Sequence, residues 1–412
     1  MSAIAGLRGT GQWATDERPK NFREMILWRS PNGTSPLFSL MSKVQKESVD
    51  DSEFSWWDEP NDIIRLTVNG ALGTGDTTVI VDSTDPDASS PNSVWGVATH
   101  LKAGDQLLVE PSADNATFDH EVVEVVSVQS ATQFTITRGA QGTTPAAIGN
   151  DGSLLKIGSA YAEGTGAPQA ASRNPIKYTN YTQIFKDTYE VTGSAVGTKL
   201  RTGDVVKNEK KRKAFDHARD IEFAMLFGRQ SETTGANGQP LRTTQGIRSF
   251  INTATTTVFS STWTMPTFLD AIAPVFDFDT EAGDQRIAFC GNSALNFLNK
   301  HIMAESNSGQ IEFVGTAKQW GMAFSEYRMP QGTIFLKTHP LLNRHALYKN
   351  SMFLLDMSAL KYRPRAGRDT KMVDNVQNKD EDLVRGYWQT DAGLEVKYGG
   401  LTCGYIGGMN AT

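Results

Sequence analysis

The chain lacks most of the features that mark other classes of protein. Its 412 residues include two cysteines, Cys290 and Cys403. Neither stands in a CxxC or Cys/His spacing, so no disulfide framework or zinc site is indicated, and both read as buried free thiols suited to a reducing site of synthesis. No stretch approaches the about 18 consecutive apolar residues that would span a bilayer. The opening Met1-Ser-Ala-Ile-Ala-Gly-Leu-Arg-Gly9 turns polar at once and has no signal-peptide core. Without such a signal, the Asn-x-Ser/Thr sites at Asn32, Asn115, Asn180 and Asn410 read as chance matches. Positive charge is in deficit, with a formal net charge of −6. That argues against a dedicated nucleic-acid binder, whose affinity comes largely from cationic contacts to phosphate. It does not exclude a protein that merely encloses nucleic acid.

Catalytic motifs are missing as well. No GxxxxGKS/T occurs; Gly70-Ala-Leu-Gly-Thr-Gly75 has the glycines but neither the lysine nor a following helix, and reads as a turn. There is no HExxH and no GxSxG elbow. Cys290 and His301 would be held apart by about 13 Å of helix rise, too far for a nucleophile and its base. Asp114, Asp119, His120 and Glu121 include oxygen ligands of the type calcium takes, but their spacing matches no cage. No enzyme, cofactor or metal is expected.

What is present falls into distinct stretches. Residues 1–62 are irregular, with isolated apolar clusters such as Met25-Ile-Leu-Trp28 and Phe54-Ser-Trp-Trp57. They have too little periodicity for a core and too many aromatics for a disordered tail, so they read as an arm that docks on something else. Residues 63–158 alternate short β-type runs, such as Glu121-Val-Val-Glu-Val-Val-Ser-Val128, with turn signals at Gly104-Asp105, Arg138-Gly139 and Asn150-Asp-Gly152. This spacing predicts a small antiparallel barrel or sandwich inserted into a host chain. The stretch Asn174 to Thr192 predicts one long strand, with Phe54–Asp58 as its partner arm.

Residues 203–228 give the clearest helix. Phe215, Ala218, Ile221 and Met225 recur on one face, Phe223, Leu226 and Phe227 widen it, and Gly228 ends it. Glu209/Lys213 and Arg212/Asp216 are expected as ion pairs on its wet side. The basic opening Lys207-Asn-Glu-Lys-Lys-Arg-Lys213 opposes the helix dipole, so an acidic partner is expected nearby; otherwise it is a solvated face or a contact with a neighbour or with phosphate. A second α/β unit follows: a helix from Pro266 to about Phe276, a buried strand Arg286–Cys290, and a helix capped by Asn292 or Ser293 with Leu295, Leu298 and Ile302 inward. Strands then dominate, at 334–336, 346–348, 352–355, 394–396 and 400–406.

This order of arm, extended hairpin, long helix, α/β unit and returning strands resembles the Hong Kong 97-type major capsid fold of tailed bacteriophages, an α+β fold. Ser35-Pro-Leu-Phe-Ser39, Phe54–Asp58, Tyr181–Gly193, Glu209–Phe227 and Thr244-Gln-Gly-Ile247 resemble the podovirus-like family that carries a β domain in its E-loop. Arg138–Thr143 and Gly158–Gly164 resemble the end of that insert. The resemblance spans nearly the whole chain and rests on the ordered set rather than on any one motif.

It implies an N-terminal arm over 1–45, an E-loop over 46–63 and 159–200, and an inserted β domain over 64–158. A peripheral domain would take 201–264 and 336–412, and an axial domain 265–335. It implies a major capsid subunit that self-assembles into pentamers and hexamers of an icosahedral or prolate head around double-stranded DNA held without specific contacts. Its partners would be its own copies, a portal, and separate scaffolding or decoration proteins, with no membrane. Trp28, Trp56, Trp57, Tyr178, Phe185, Lys207, Lys210 and Lys211 are the expected contacts between subunits, the aromatics serving as anchors. The rivals are an encapsulin-like compartment shell, and a surface glycan-binding adhesin using Trp95 and Phe118 exposed on the β insert.

Overall fold

A computed structural model describes residues 46–110, 121–200, 202–259, 263–305, 313–319 and 322–409. Trp28 and the rest of the arm lie outside the described residues, as do Asp114, Phe118, Asp119 and His120. The fold is mixed α+β, with more strand than helix.

Strand β1 (Glu53–Asp58) comes first, and six short strands follow: β2 (Arg65–Thr67), β3 (Thr78–Ile80), β4 (Asp105–Val109), β5 (Val122–Val128), β6 (Gln133–Ala140) and β7 (Ser153–Ser159). These six pair antiparallel in the order β2-β7-β4-β5-β6-β3. The two end strands then meet each other. Val68 bridges Val81, the Asn69 N–H donates to the Ile80 carbonyl at 2.8 Å, and the Asp82 N–H donates to the Thr67 carbonyl at 3.0 Å. The sheet therefore closes into a barrel, the first of the two forms the strand spacing allows. Alternation points Val123, Val125, Phe134 and Ile136 inward, where they pack with Leu66, Val79, Leu107 and Leu154 in a core of their own.

At the barrel rim, Glu121 receives two hydrogen bonds from Arg138, both 2.7 Å, and others from the N–H groups of Gly139 and Ala146, both 3.0 Å. Burial alone would raise the Glu121 carboxyl, but these donors hold it below its usual range. Its oxygens are already occupied, so Glu121 is not a free metal ligand. Trp95, expected on the barrel surface, is buried instead, with its indole N–H donated to the Pro60 carbonyl at 3.2 Å.

The stretch 174–192 forms two strands rather than one. β8 (Ile176–Tyr181) pairs antiparallel with β1, as expected, from Glu53↔Tyr181 to Asp58↔Ile176. β9 (Gln183–Thr192) turns away after Thr182 and pairs with another strand far along the chain. The reason lies at Asn180, which is fully buried. Its amide donates to the Leu394 carbonyl at 2.6 Å and the Gln245 carbonyl at 3.2 Å, while its oxygen accepts from the N–H groups of Tyr181 and Gln245, both at 2.8 Å. A side chain so fully bonded fixes where the hairpin ends and the body begins.

The long helix runs from Val205 to Phe227. Asp204 caps it, accepting from the N–H of Val206 at 2.9 Å and of Lys207 at 3.2 Å, and is the acidic partner that the basic opening calls for. Its buried face is His217, Ile221, Glu222, Met225 and Leu226, whereas Phe223 points to solvent. The polar members are inward because polar groups await them: His217 meets Asp187 at 2.6 Å and Thr390 at 2.7 Å, and Glu222 meets His339 at 2.7 Å. The ion pairs on the outer face use the i,i+3 spacing, Glu209 with Arg212 and Asp216 with Lys213 and Arg219.

Beyond the helix come an exposed hairpin of β10 (Ser231–Thr234) and β11 (Pro240–Thr243), then β12 (Thr256–Val258), β13 (Gln285–Cys290), β14 (Phe313–Gln319), β15 (Met322–Met329), β16 (Gly332–Thr338) and β17 (Met352–Leu355). The last strands are β18 (Leu360–Pro364), β19 (Lys371–Val373), β20 (Leu383–Val396) and β21 (Gly404–Gly407). A mixed seven-stranded sheet runs β12-β21-β17-β13-β16-β15-β14. Strands from both sides of residue 336 thus share one sheet, and that expected boundary does not separate two packing units.

Helices Met265–Ile272 and Asn292–Glu305 pack on one face of this sheet, with Ala288, Cys290, Met352, Leu354 and Ile406 pointing toward them. On the other face, Ile287, Phe289, Phe353, Leu355 and Tyr405 meet the long helix and the sheet of β9, β18, β19 and β20. A sheet covered on both faces reads as a continuous apolar run, which is why Arg286–Cys290 looks buried throughout. Both cysteines sit in these cores as free thiols, and burial pushes the Cys403 thiol up to about 12. The strand expected at 346–348 is replaced by two short 3-10 turns, because the His345 ring nitrogen accepts the N–H of Leu347 at 3.1 Å and bends the chain.

Candidate assembly surfaces

The β1–β8 hairpin has two unlike faces. Period-two alternation sends Phe54, Trp56, Ile176 and Tyr178 inward, where they pack with Val49 and Phe250. Trp56 stacks on Phe54 at 6.0 Å and on Tyr178 at 5.9 Å, and meets Phe250 at 5.9 Å. Burial raises the Tyr178 hydroxyl, and the charges of Asp58 and Asp87 add to the effect. Trp57 lies on the other face and is 63% exposed. Its neighbours there are Lys177, Ser55 and Thr179, the last two joined by a 3.1 Å hydrogen bond. At the hairpin's foot the body comes so close that a Cβ on Gly393 would lie 2.7 Å from both the Phe54 ring and the Tyr181 carbonyl.

Of the aromatics expected to touch a neighbour, Trp56, Tyr178 and Phe185 are buried within their own chain, Phe185 beside the long helix. Inward alternation commits their area to the chain's own cores, and among the described ones Trp57 alone presents a large free surface. Among the lysines, Lys207 and Lys211 are exposed on the first turns of the helix, Lys211 lying over the Phe215 ring at 5.9 Å. Lys210 is held elsewhere: its ammonium lies 2.8 Å from Asp374, which raises it, and Asp374 also accepts from Tyr189.

A third surface binds the segment just before the hairpin, and nothing in its composition announced this. Lys46 and Val49 form parallel bridges to Tyr362 and Arg365, extending β18 by one more strand. Glu47 lies 2.8 Å from both Lys361 and Arg363, and Lys46 pairs with Asp369. Hydrogen bonds from Lys361 and Arg363 hold the Glu47 carboxyl at about 2. The short spacing Glu47-Ser-Val49 beside an acidic run is the one hint in the sequence, and it has no period to mark it as a strand.

Among the described residues no group of three or more His, Cys, Asp or Glu is placed to hold a metal. The notable features are faces and edges: a half-exposed hairpin, a basic helix start, and the edges of two sheets that pair with no further strand among the described residues.

The chain is similar to known proteins. Over 393 residues the chain is 25% identical to the major capsid protein of Pseudomonas phage PaMx41, covering 93% of this chain and 87% of that one. The capsid of Myoviridae phage XM1 aligns over 98% of this chain and 100% of its own, at 10% identity and a TM-score of 0.44. The capsid asymmetric unit of cyanophage A-1(L) aligns over 97% of each chain, again at 10% identity and 0.44. The chain is a structural subunit of a phage capsid. It belongs to the SU10 major capsid protein family, whose model matches residues 6–409.

Proposed function

We propose that the subunit builds a closed phage head of the Hong Kong 97 type, in pentamers and hexamers, around double-stranded DNA. Assembly would take place in the host cytoplasm, with a portal and separate scaffolding or decoration proteins as partners. In this reading the arm is 1–45, the E-loop is 46–63 and 159–182 with its base in β9, and the inserted domain is 64–158. The long helix and the β18–β20 sheet form the peripheral domain, and the helices Met265–Ile272 and Asn292–Glu305 with strands β13 to β16 form the axial one.

The observation that carries this reading is the two-faced hairpin. Its inner face is committed to the chain's own core, while Trp57 stands on a bare outer face at 63% exposure. A large aromatic held rigidly on an exposed strand is what an arm lying over a neighbour would present. Lys207 and Lys211 would offer a polar rim contact. Many moderate contacts suit a shell, because a closed lattice gains its stability from their number.

Electron microscopy of the purified protein should show closed shells or rings of five and six. A protein that stays monomeric under all assembly conditions would refute the reading. Replacing 64–158 by a short linker tests the domain map separately. β2 and β7 are neighbouring antiparallel strands, so the chain enters and leaves the barrel side by side. The shortened subunit should stay soluble and folded; loss of soluble protein would show that the barrel is part of the body.

A further inference from the structure

Cations gather where the chain leaves the barrel. A pocket of about 150 Å³ is lined by Ile64, His100, Lys102, Lys156, Ala171 and Arg173. Two of its side chains already meet carboxylates: Lys156 lies 2.6 Å from Asp105, and His100 lies 2.7 Å from Asp85. Lys102 and Arg173 have no carboxylate partner among the described residues. Lys102 and Arg173 are thus two cations left unmatched, in a chain whose net charge is −6.

The pocket is also preorganised. The Arg173 guanidinium lies over the Trp95 ring at 4.7 Å, and Trp95 meets the His100 ring edge-on at 5.0 Å. Asp85, which holds His100, itself accepts the N–H groups of Gly96 and Val97, both at 3.1 Å. The ring contact holds the guanidinium in place and leaves its N–H groups for an oxyanion. Such a fork is suited to two-point binding of a carboxylate.

Beside this pocket runs a groove of about 1010 Å³ that shares His100, Lys102 and Ala171 with it. One wall is the outer side of β5, with Glu124 and Val126; the other is the strap 160–172. The strap is tied by Ala160 to Gly104 and turned by Thr165 onto Ala162, and beyond that point, from 166 to 172, its main chain makes no backbone hydrogen bond among the described residues.

We infer that pocket and groove together bind an extended acidic segment of a partner protein, with a carboxylate in the pocket and the segment's main chain along the strap. A row of unpaired main-chain groups recognises another main chain. An acidic polysaccharide is the rival the test must separate: Tyr161, which lines the groove, is 43% exposed, although one edge of its ring packs on Gly104.

Fluorescence anisotropy with a labelled oligo-aspartate peptide and unassembled full-length subunits tests this directly, whatever the shell does. The peptide should bind, more weakly as salt is added. The double variant Lys102→Ser/Arg173→Ser should weaken it at least about tenfold, as the loss of a charge-assisted bidentate contact implies. Lys371→Ser, on β19 of the body sheet, should leave it within about twofold, as expected for an exposed charge on a different sheet. Arg173→Lys, which keeps the charge but not the planar fork, should fall between and guards against misfolding of the double variant. Absence of wild-type binding, or equal binding by the double variant, would overturn the proposal. So would polygalacturonate competing as well as the peptide, which would assign the groove to acidic glycans. Displacement by inorganic phosphate at equal charge would reduce it to a pocket for small anions and overturn the polypeptide reading.

Discussion

The barrel and the body are made from strands of similar length, yet they treat their edges differently. In the barrel the last strand returns to the first, and the Val68–Val81 bridge leaves no open side. In the body, β9 and β12 stand at the ends of their sheets, and one extra strand from 46–49 has already been added beside β18. An open edge is a liability for a protein that acts alone and an opportunity for one that joins others. The barrel satisfies itself; the body is finished by additions. The cores differ in the same sense. The barrel encloses a single core, whereas the seven-stranded sheet is a wall shared by two.

The strongest test of that contrast is a pair of core truncations. Phe353→Ala removes a fully buried ring from the shared wall, and Phe134→Ala removes one from the barrel. Each should cost about 3–5 kcal/mol. Hydrogen exchange should separate them: Phe353→Ala exposes amides on both sides of the seven-stranded sheet, while Phe134→Ala exposes β5 and β6 and leaves β13 protected. Equal loss of protection in both regions would mean that the two units unfold as one.

A second pair divides the hairpin by face. Trp56→Ala should cost about 3–5 kcal/mol in chemical denaturation, because the ring lies in a packed cluster. Trp57→Ala should change subunit stability by less than about 0.5 kcal/mol, as for an exposed site, yet lower the yield of shells. If Trp57→Ala destabilised the monomer as much as Trp56→Ala, the outer face would not be free.

The smallest effect concerns the added strand. The folded Glu47 carboxyl sits at about 2 against an ordinary 4.5. A depressed carboxylate contributes stability that is fully present above about 4.5 and fades as the pH falls toward about 2. Glu47→Gln should therefore lower the denaturation midpoint slightly at pH 7, and the difference should shrink below about pH 4.5. The carboxylate is more than half exposed, so the effect is that of a screened surface pair. A gap that widened on acidification would contradict the ion-pair account.

How much of this was legible beforehand depends on whether a residue acts through its neighbours in sequence or across the fold. The barrel was legible because closed antiparallel strands alternate and their turns need glycine, as at Gly104 and Gly139, both of which have positive φ. The β1–β8 pairing was legible from its two aromatic, alternating arms. The long helix was located to within two residues at its start and one at its end, yet its inward face was read incompletely: Phe223 was expected in it, and His217 and Glu222 were not named. Their partners, Asp187, Thr390 and His339, come from strands that no local period could bring together. Asn180 was read as a chance glycosylation match, and nothing nearby in sequence shows that it joins Leu394 to Gln245. Trp56 and Trp57 are adjacent, and only the register of the pair reveals which one faces out.

That register has a mechanical side. β8 leads within two residues into β9, and β9 is held to β20 through ten successive residue pairs, from Gln183↔Ala392 to Thr192↔Leu383. A pull on the hairpin thus reaches a strand anchored by ten pairs. The barrel, by contrast, hangs from neighbouring strands that enter and leave at the same end, and a pull on it would peel β2 from β7 one bond at a time. The same chain therefore has one attachment that resists tension and one that yields to it.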